Sequence, residues 1–227
     1  MLVSFLCIIM TIVSYIIAKF IYKKSKLFIL SPLIVAPVLL SSCIILLGVD
    51  YTDYDKGGRW LTNMLQPAVV GFAVPLYKYR AVLKKHMRVI LVSMTSGAIV
   101  ALASSGIYAH LVHLKNDYLL SLLPRSVTTP IAMVISADIG GVPTMTAIFV
   151  IVTGICGLIL GPIIIRFFHI REKLAKGLLL GMGAHGAGTS KALEFGTEEG
   201  AAASLAMVVA ALLTLIFAPI ITPFILL

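Results

Sequence analysis

The chain alternates long apolar runs with short polar breaks. Eight apolar runs stand out, at about 2–22, 28–49, 61–79, 88–112, 118–140, 143–167, 173–193 and 201–226. Each is close to the roughly 20 residues that carry a helix across a hydrocarbon core. The pattern predicts an all-α polytopic membrane protein, with about seven transmembrane helices plus one broken or re-entrant proline-rich segment. No linker or low-complexity stretch separates the runs, so 1–227 reads as a single integral membrane domain.

The polar breaks orient the runs. Lys23, Lys24 and Lys26 cluster after the first. Lys78, Arg80, Lys84, Lys85 and Arg88 cluster before the fourth. Arg166, Arg171, Lys173 and Lys176 surround the break before the seventh. Basic loops stay cytoplasmic. The 50–59 stretch (Asp50, Asp53, Asp55) and the 194–200 turn (Glu194, Glu198, Glu199) are acidic and are expected outside. This places the N-terminus outside and the C-terminus inside. It also creates a conflict. The 113–117 break belongs outside and the 166–176 break inside, yet two runs separate them. One of the two fails to cross, and 118–140 is the better candidate. It holds Pro124, Pro130, Gly140 and Gly141, with Pro143 just beyond. Proline removes backbone donors and kinks helices, and broken backbone at membrane depth must be buried in protein or line a polar cavity. A shorter echo joins 67–75 to 124–132, each a proline-bounded apolar stretch. Paired broken segments in two halves of a chain point to a transporter site, although two apolar stretches can also match by chance.

Composition agrees with the pattern. Hydrophobic residues are 60% of the chain and charged residues 12%, which excludes both a soluble domain of this size and a disordered one. The net charge of +9 lies in membrane-flanking loops and carries no nucleic-acid motif, so nucleic acid is not an expected partner. Cys7, Cys43 and Cys156 sit inside apolar runs with no ligand spacing, so they read as packing residues and no metal or cofactor is expected.

Two regions could carry chemistry. The first is PRSVTTPIAMVISADIGGVPTMT, over 124–146. Arg125 in an apolar context faces a cavity or a partner. With Ser126, Thr128, Thr129 and a proline-freed helix start, it offers a fork and several donors to a carboxylate. The alternative is that Arg125 snorkels to an interface and the hydroxyls bond helix carbonyls. Asp138 pairs with Arg125, carries a proton or caps a helix at the interface. The second region is GMGAHGAGTSKALE, over 181–194. Its four glycines allow close helix approach or unwound backbone. His185 exchanges protons near neutrality, or bonds a facing helix as a structural residue. His185 and Thr189 would contact the far end of a substrate, and His185 and Asp138 are the candidates for proton or ion coupling. Lys191 and Glu194 are spaced for a helix-surface pair. No nucleophile–base pair, carboxylate pair or phosphate loop is present, so an enzyme is not expected.

PAVVGFAVPLYK (67–78), SLLPRSVTTPIAMVISADIGGVPTMTA (121–147), VTGICGLILGP (152–162) and GMGAHGAGTSKALEFGTEEGAAASLAM (181–207) together resemble the LrgB/CidB family, from about residue 30 to the C-terminus. Two positions depart from it. The family commonly has Ser-His-Gly where this chain has Ala184-His185-Gly186. It has Thr-Ala-Arg where this chain has Thr189-Ser190-Lys191, and lysine lacks the planar fork. The resemblance implies a multi-pass protein of the bacterial cell membrane acting beside a small LrgA/CidA-like membrane partner. It implies two functions. Some members are holin/antiholin-like proteins that modulate murein hydrolase activity and autolysis. Others transport small monocarboxylates such as pyruvate, glycolate and lactate-like acids. The buried arginine and the broken segments favour transport, with H+ coupling as an option. Homo-oligomers are compatible with the pattern but not specified by it.

Overall fold

In the computed structural model the described residues are 2–25, 30–64, 67, 70, 73–78 and 80–226, and they form helices and turns without a strand. They fall into two compact units, within Met1–Gly71 and Phe72–Leu227.

In the first unit α1 (Leu2–Ser25) packs against both α2 (Pro32–Leu46) and α3 (Tyr51–Asn63). α1 is long and apolar enough to span, and it ends in Lys23 and Lys24. α2 begins at Ser31, whose side chain accepts the Leu33 N–H, with Pro32 in the first turn. Its 15 residues reach about 22 Å, short of a hydrocarbon core of about 30 Å. The acidic 50–59 stretch, expected as a loop, is helical. Its charges pair along the helix, Lys56 with Asp53 at 2.9 Å and Arg59 with Asp55 at 2.8 Å. Gly57 lets α3 seat directly on the Ser4 backbone. Much of the 61–79 run, including positions 68, 69, 71 and 72 of the 67–75 echo, lies outside the described residues, as does Lys26.

The second unit holds two short helices, α4 (Ala73–Lys78) and α5 (Arg80–Lys85), followed by α6 (Met87–Leu111) and α7 (Asn116–Leu122). A 3-10 turn (Leu123–Ser126) leads into α8 (Thr129–Asp138). Then come α9 (Pro143–Phe167), α10 (Lys173–Phe195) and α11 (Thr197–Ile225). α6, α9 and α11 are long and apolar enough to cross a membrane. With α1 they make four such helices among the described residues, against about seven expected from the runs. Of the seven, 28–49 forms a helix too short to span, 61–79 lies largely outside the described residues and 173–193 doubles back; with 118–140, two runs double back.

The first is 118–140. α7 runs inward, the chain turns through Leu123–Ser126 and extended Val127, and α8 returns. Gly141 then rests against the Ser121 backbone, and the Val142 N–H donates to Ser121 Oγ at 2.7 Å. The base is tied to α9 by Thr146 Oγ1, which donates to Ser136 Oγ at 2.6 Å. Leu119, Leu123, Val127, Ala132 and Ile135 pack with Leu102 of α6, Val150 of α9 and Ala218 of α11, so the largest buried core surrounds this hairpin.

The second is α10, and it corrects the expected crossing at 173–193. His185 has φ 45° and ψ −120°, outside helical space, and divides the helix into arms 173–184 and 186–195. The arms lie side by side, with Gly188 directly on the Leu180 carbonyl. Gly177 and Gly181 of the first arm seat on the α11 backbone at Glu199–Ala203, and Lys173 pairs with Glu198 at 3.0 Å. A straight helix from 173 to 195 would hold those ends about 34 Å apart. The 194–200 turn therefore shares a face with the basic 166–176 loop instead of opposing it. α11 starts on that face and runs parallel to α6, with Gly106 against Ile225. Its C-terminal end thus lies on the face opposite the basic loops, not inside with them.

The two hairpins enter from opposite faces, and a shared motif precedes each. Two residues past the ends of α6 and α9 stand His113 and His169, both in the left-handed region (φ 53° and 51°). Leu114 and Ile170 then donate their N–H to the carbonyls of Ala109 and Ile165.

This topology predicts a labelling pattern. Cysteines placed singly at 115, 140, 171 and 194 in a cysteine-free background should react with an impermeant thiol reagent in two groups. Positions 115 and 140 label from one side of the membrane, and 171 and 194 from the other. Reactivity of 171 and 194 from opposite sides would show that α10 crosses.

Candidate functional site

The hairpin tips meet. The turn Leu123–Ser126 packs against α6, α9, α10 and α11. The His185 imidazole lies against the Arg125 main chain and within electrostatic reach of its guanidinium. Arg125 is held at its root, where Nε donates to Ser105 Oγ at 2.8 Å and that hydroxyl donates in turn to the Ala101 carbonyl at 2.7 Å. The two Nη groups of Arg125 bond no described residue, and Arg125 lines a cavity with Ser105, Thr153, Cys156 and Gly157. No carboxylate among the described residues pairs with Arg125. A cation in such a setting is costly unless an anion joins it.

Two further polar atoms are unsatisfied at the tips. Thr128 Oγ1 and His185 Nε2 are buried and have no hydrogen-bond partner among the described residues. Thr128 stands at the N-cap of α8 without capping it, so the first N–H groups of that helix receive no side-chain oxygen. The second arm of α10 likewise begins at the tip, just after His185. Both returning arms direct the positive ends of their dipoles toward Arg125. His185 carries backbone strain on top of burial. A non-glycine residue at φ 45° costs of order 1–3 kcal/mol, and such strain clusters at functional sites.

The expected site residues are thus brought together unequally. Arg125, Thr128 and His185 converge. Ser126 is buried beside Arg125, and Thr129 is half-buried as the first residue of α8. Thr189 is buried, but its hydroxyl donates to the His185 carbonyl at 2.8 Å and so braces the reversal. Asp138 is exposed in the last turn of α8, about 15 Å of helix from the tip, which separates it from Arg125. Lys191 and Glu194 form the expected surface pair at 2.6 Å, at the base of the second hairpin. Ser105 was not among the expected residues. Its signal is a Ser104-Ser105-Gly106 break in an otherwise apolar helix, with Ser105 buried.

α9 fits the second hairpin through glycine. A Cβ at Gly157 would strike Ala184 and the Gly183 carbonyl, and one at Gly161 would strike Leu180. The VTGICGLILGP stretch is therefore a close-approach face for the arm that carries His185.

Comparison with known proteins agrees with this arrangement of motifs. No solved structure matches the chain. YwbG of Bacillus subtilis (strain 168) is 44% identical over 224 residues, covering 99% of this chain and all of that protein. YxaC of the same organism is 37% identical over 219 residues, covering 96% and 95%. The holin-like protein CidB of Staphylococcus aureus (strain Mu50) is 34% identical over 217 residues, again covering 96% and 95%. The LrgB-like family model matches residues 11–224. A multi-pass protein of the bacterial cell membrane, the chain belongs to the LrgB-like family.

Proposed function

We propose that this protein carries a small monocarboxylate such as pyruvate, glycolate or lactate across the bacterial cell membrane. One observation carries the reading. Arg125 is fixed by Ser105 at the meeting point of two opposed hairpins, lines a cavity and has no anionic partner among the described residues. A carboxylate supplies the missing charge. The Nη pair matches its two oxygens, and Thr128 Oγ1 and His185 Nε2 supply polar contacts to the rest of the molecule. Hairpins whose helix ends meet between crossing helices are the arrangement from which carriers build substrate sites. H+ coupling through His185 is part of the proposal. Asp138, set apart from the tips, is the weaker candidate for that role.

A second reading has the better support from relatives. CidB of Staphylococcus aureus is named a holin-like protein, and the similarity spans nearly both chains. In that reading the protein modulates murein hydrolase activity or export, beside a small LrgA/CidA-like membrane partner. Passage of a metabolite and control of autolysis are compatible if the second follows from the first.

Uptake of labelled pyruvate into proteoliposomes holding this chain tests the first reading, with glycolate and lactate as competitors. Saturable, competable uptake is expected. Its absence both with and without the small partner would leave the holin-like reading standing alone.

A further inference from the structure

Among the described residues, two of the cavities that enter the second unit share a wall. One, of about 960 Å³, opens among His86, Arg171, Glu172, Lys173 and Glu198 on the face of the 166–176 loop and runs between α6 and the first arm of α10 to Gly183. The other, of about 650 Å³, extends from Leu114 near the opposite face past Arg125 and Gly183 to Ile164. Leu179 and Gly183 line both. They stand four residues apart, on one side of the arm.

Gly183 differs from three of the glycines around it and shares its open surroundings with Gly186. A Cβ at Gly177 or Gly181 would press into the α11 backbone, and one at Gly188 into Leu180. Packing accounts for those three. A Cβ at Gly183 meets nothing within 4 Å. The residue is exposed although it lies two positions from buried His185. An exposed glycine within a helical arm costs about 1 kcal/mol against alanine, and no neighbour here explains that cost. A side chain at this position would project into open space at a residue that lines both cavities.

We propose that Gly183 is the junction of one continuous route for the anion, from the face of the 166–176 loop to Arg125 and on toward Leu114. Its missing side chain keeps that route open, and Leu179 borders it. The proposal rests on the carrier reading above and adds the path to the site.

Two measurements separate the proposal from the reading it rests on. The first is uptake by the full chain carrying Gly183→Leu, with folding followed by elution profile and thermal midpoint. The variant should fold and lose uptake by roughly tenfold or more, since the width of a pathway limits passage. A folded Gly183→Leu that transports as fast as the parent overturns the junction and leaves the carrier reading intact. The second uses Gly183→Cys in a cysteine-free chain, treated with a membrane-impermeant methanethiosulfonate from the face of the 166–176 loop. Labelling is expected, and in a transporting chain it should block uptake. Absence of labelling overturns the route whether or not the chain transports. This smaller substitution also decides the matter if leucine prevents folding.

Discussion

Arg125→Gln should abolish saturable monocarboxylate uptake while leaving the protein folded. Removing one partner of a buried, hydrogen-bonded charge pair costs about 2–5 kcal/mol, or roughly 30-fold to several thousand-fold in affinity. Glutamine retains polar reach but neither the charge nor the fork. Folding should not suffer, because the guanidinium has no carboxylate partner among the described residues and its desolvation opposes folding. Arg125→Lys should fall between the parent and Arg125→Gln, keeping the charge and losing the paired geometry. Ser105→Ala should weaken binding less, by roughly tenfold, because it frees Nε and the aim of the guanidinium without removing the charge. Uptake kinetics and the thermal midpoint, measured together on the four proteins, check this order. Full uptake by a folded Arg125→Gln would remove the arginine from the site. Control of autolysis that survives Arg125→Gln in cells would favour the holin-like reading.

The second large effect is on stability. Gly188→Val should leave little folded protein, and Gly188→Ala should lower the thermal midpoint by several degrees. The position faces the other arm of its own hairpin, and a Cβ there would land on the Leu180 carbonyl. Backbone cannot rotate away as a side chain can, so the arms must part. Overpacking of a fitted site costs typically about 1–3 kcal/mol, and valine adds two more methyl groups to the clash. Separating the arms also disturbs the packing of Leu180 against Ala192 and Ala203. Gly183→Ala is the contrast. It adds the same methyl group to the same hairpin where nothing stands within 4 Å, so the midpoint should hold or rise. Equal losses from the two alanines would show that the arms do not lie as described.

Most of the crossing helices were legible in the sequence because each is a long apolar run with a basic or turn-forming end. α1, α6, α9 and α11 fall within a few residues of their runs. The doubling back of 118–140 was legible too, through an imbalance in loop charge and through Pro124 and Pro130. The reversal at His185 was not. The run 173–193 has the length and proline-free interior of a crossing helix, although it is more polar than the four helices that are apolar enough to cross. Its four glycines fit tight packing as well as a turn. The acidic 194–200 turn added nothing, since acidic residues orient weakly. A weak sign was present in the repeated ends Val112-His113-Leu114-Lys115 and Phe168-His169-Ile170-Arg171, each followed by a hairpin. Read alone, they are two ordinary helix exits.

The site divides in the same way. Arg125 and His185 announce themselves as polar groups in apolar surroundings, where a charge or an imidazole is too costly to hold without a use. Their partners do not. Ser105 lies 20 residues from Arg125 and His185 lies 60, and no local pattern ties them.

By itself, then, the sequence determined that this is a helical membrane protein, which runs are long enough to cross, and which residues are too polar for their surroundings. Hydrophobic transfer and loop charge act locally, so they can be read along the chain. The tertiary structure decided which apolar runs turn back, that two hairpins from opposite faces meet, and which glycines are packed and which are open. Those outcomes depend on contacts between residues far apart in sequence. A glycine pressed to a backbone and a glycine bordering a cavity are the same letter.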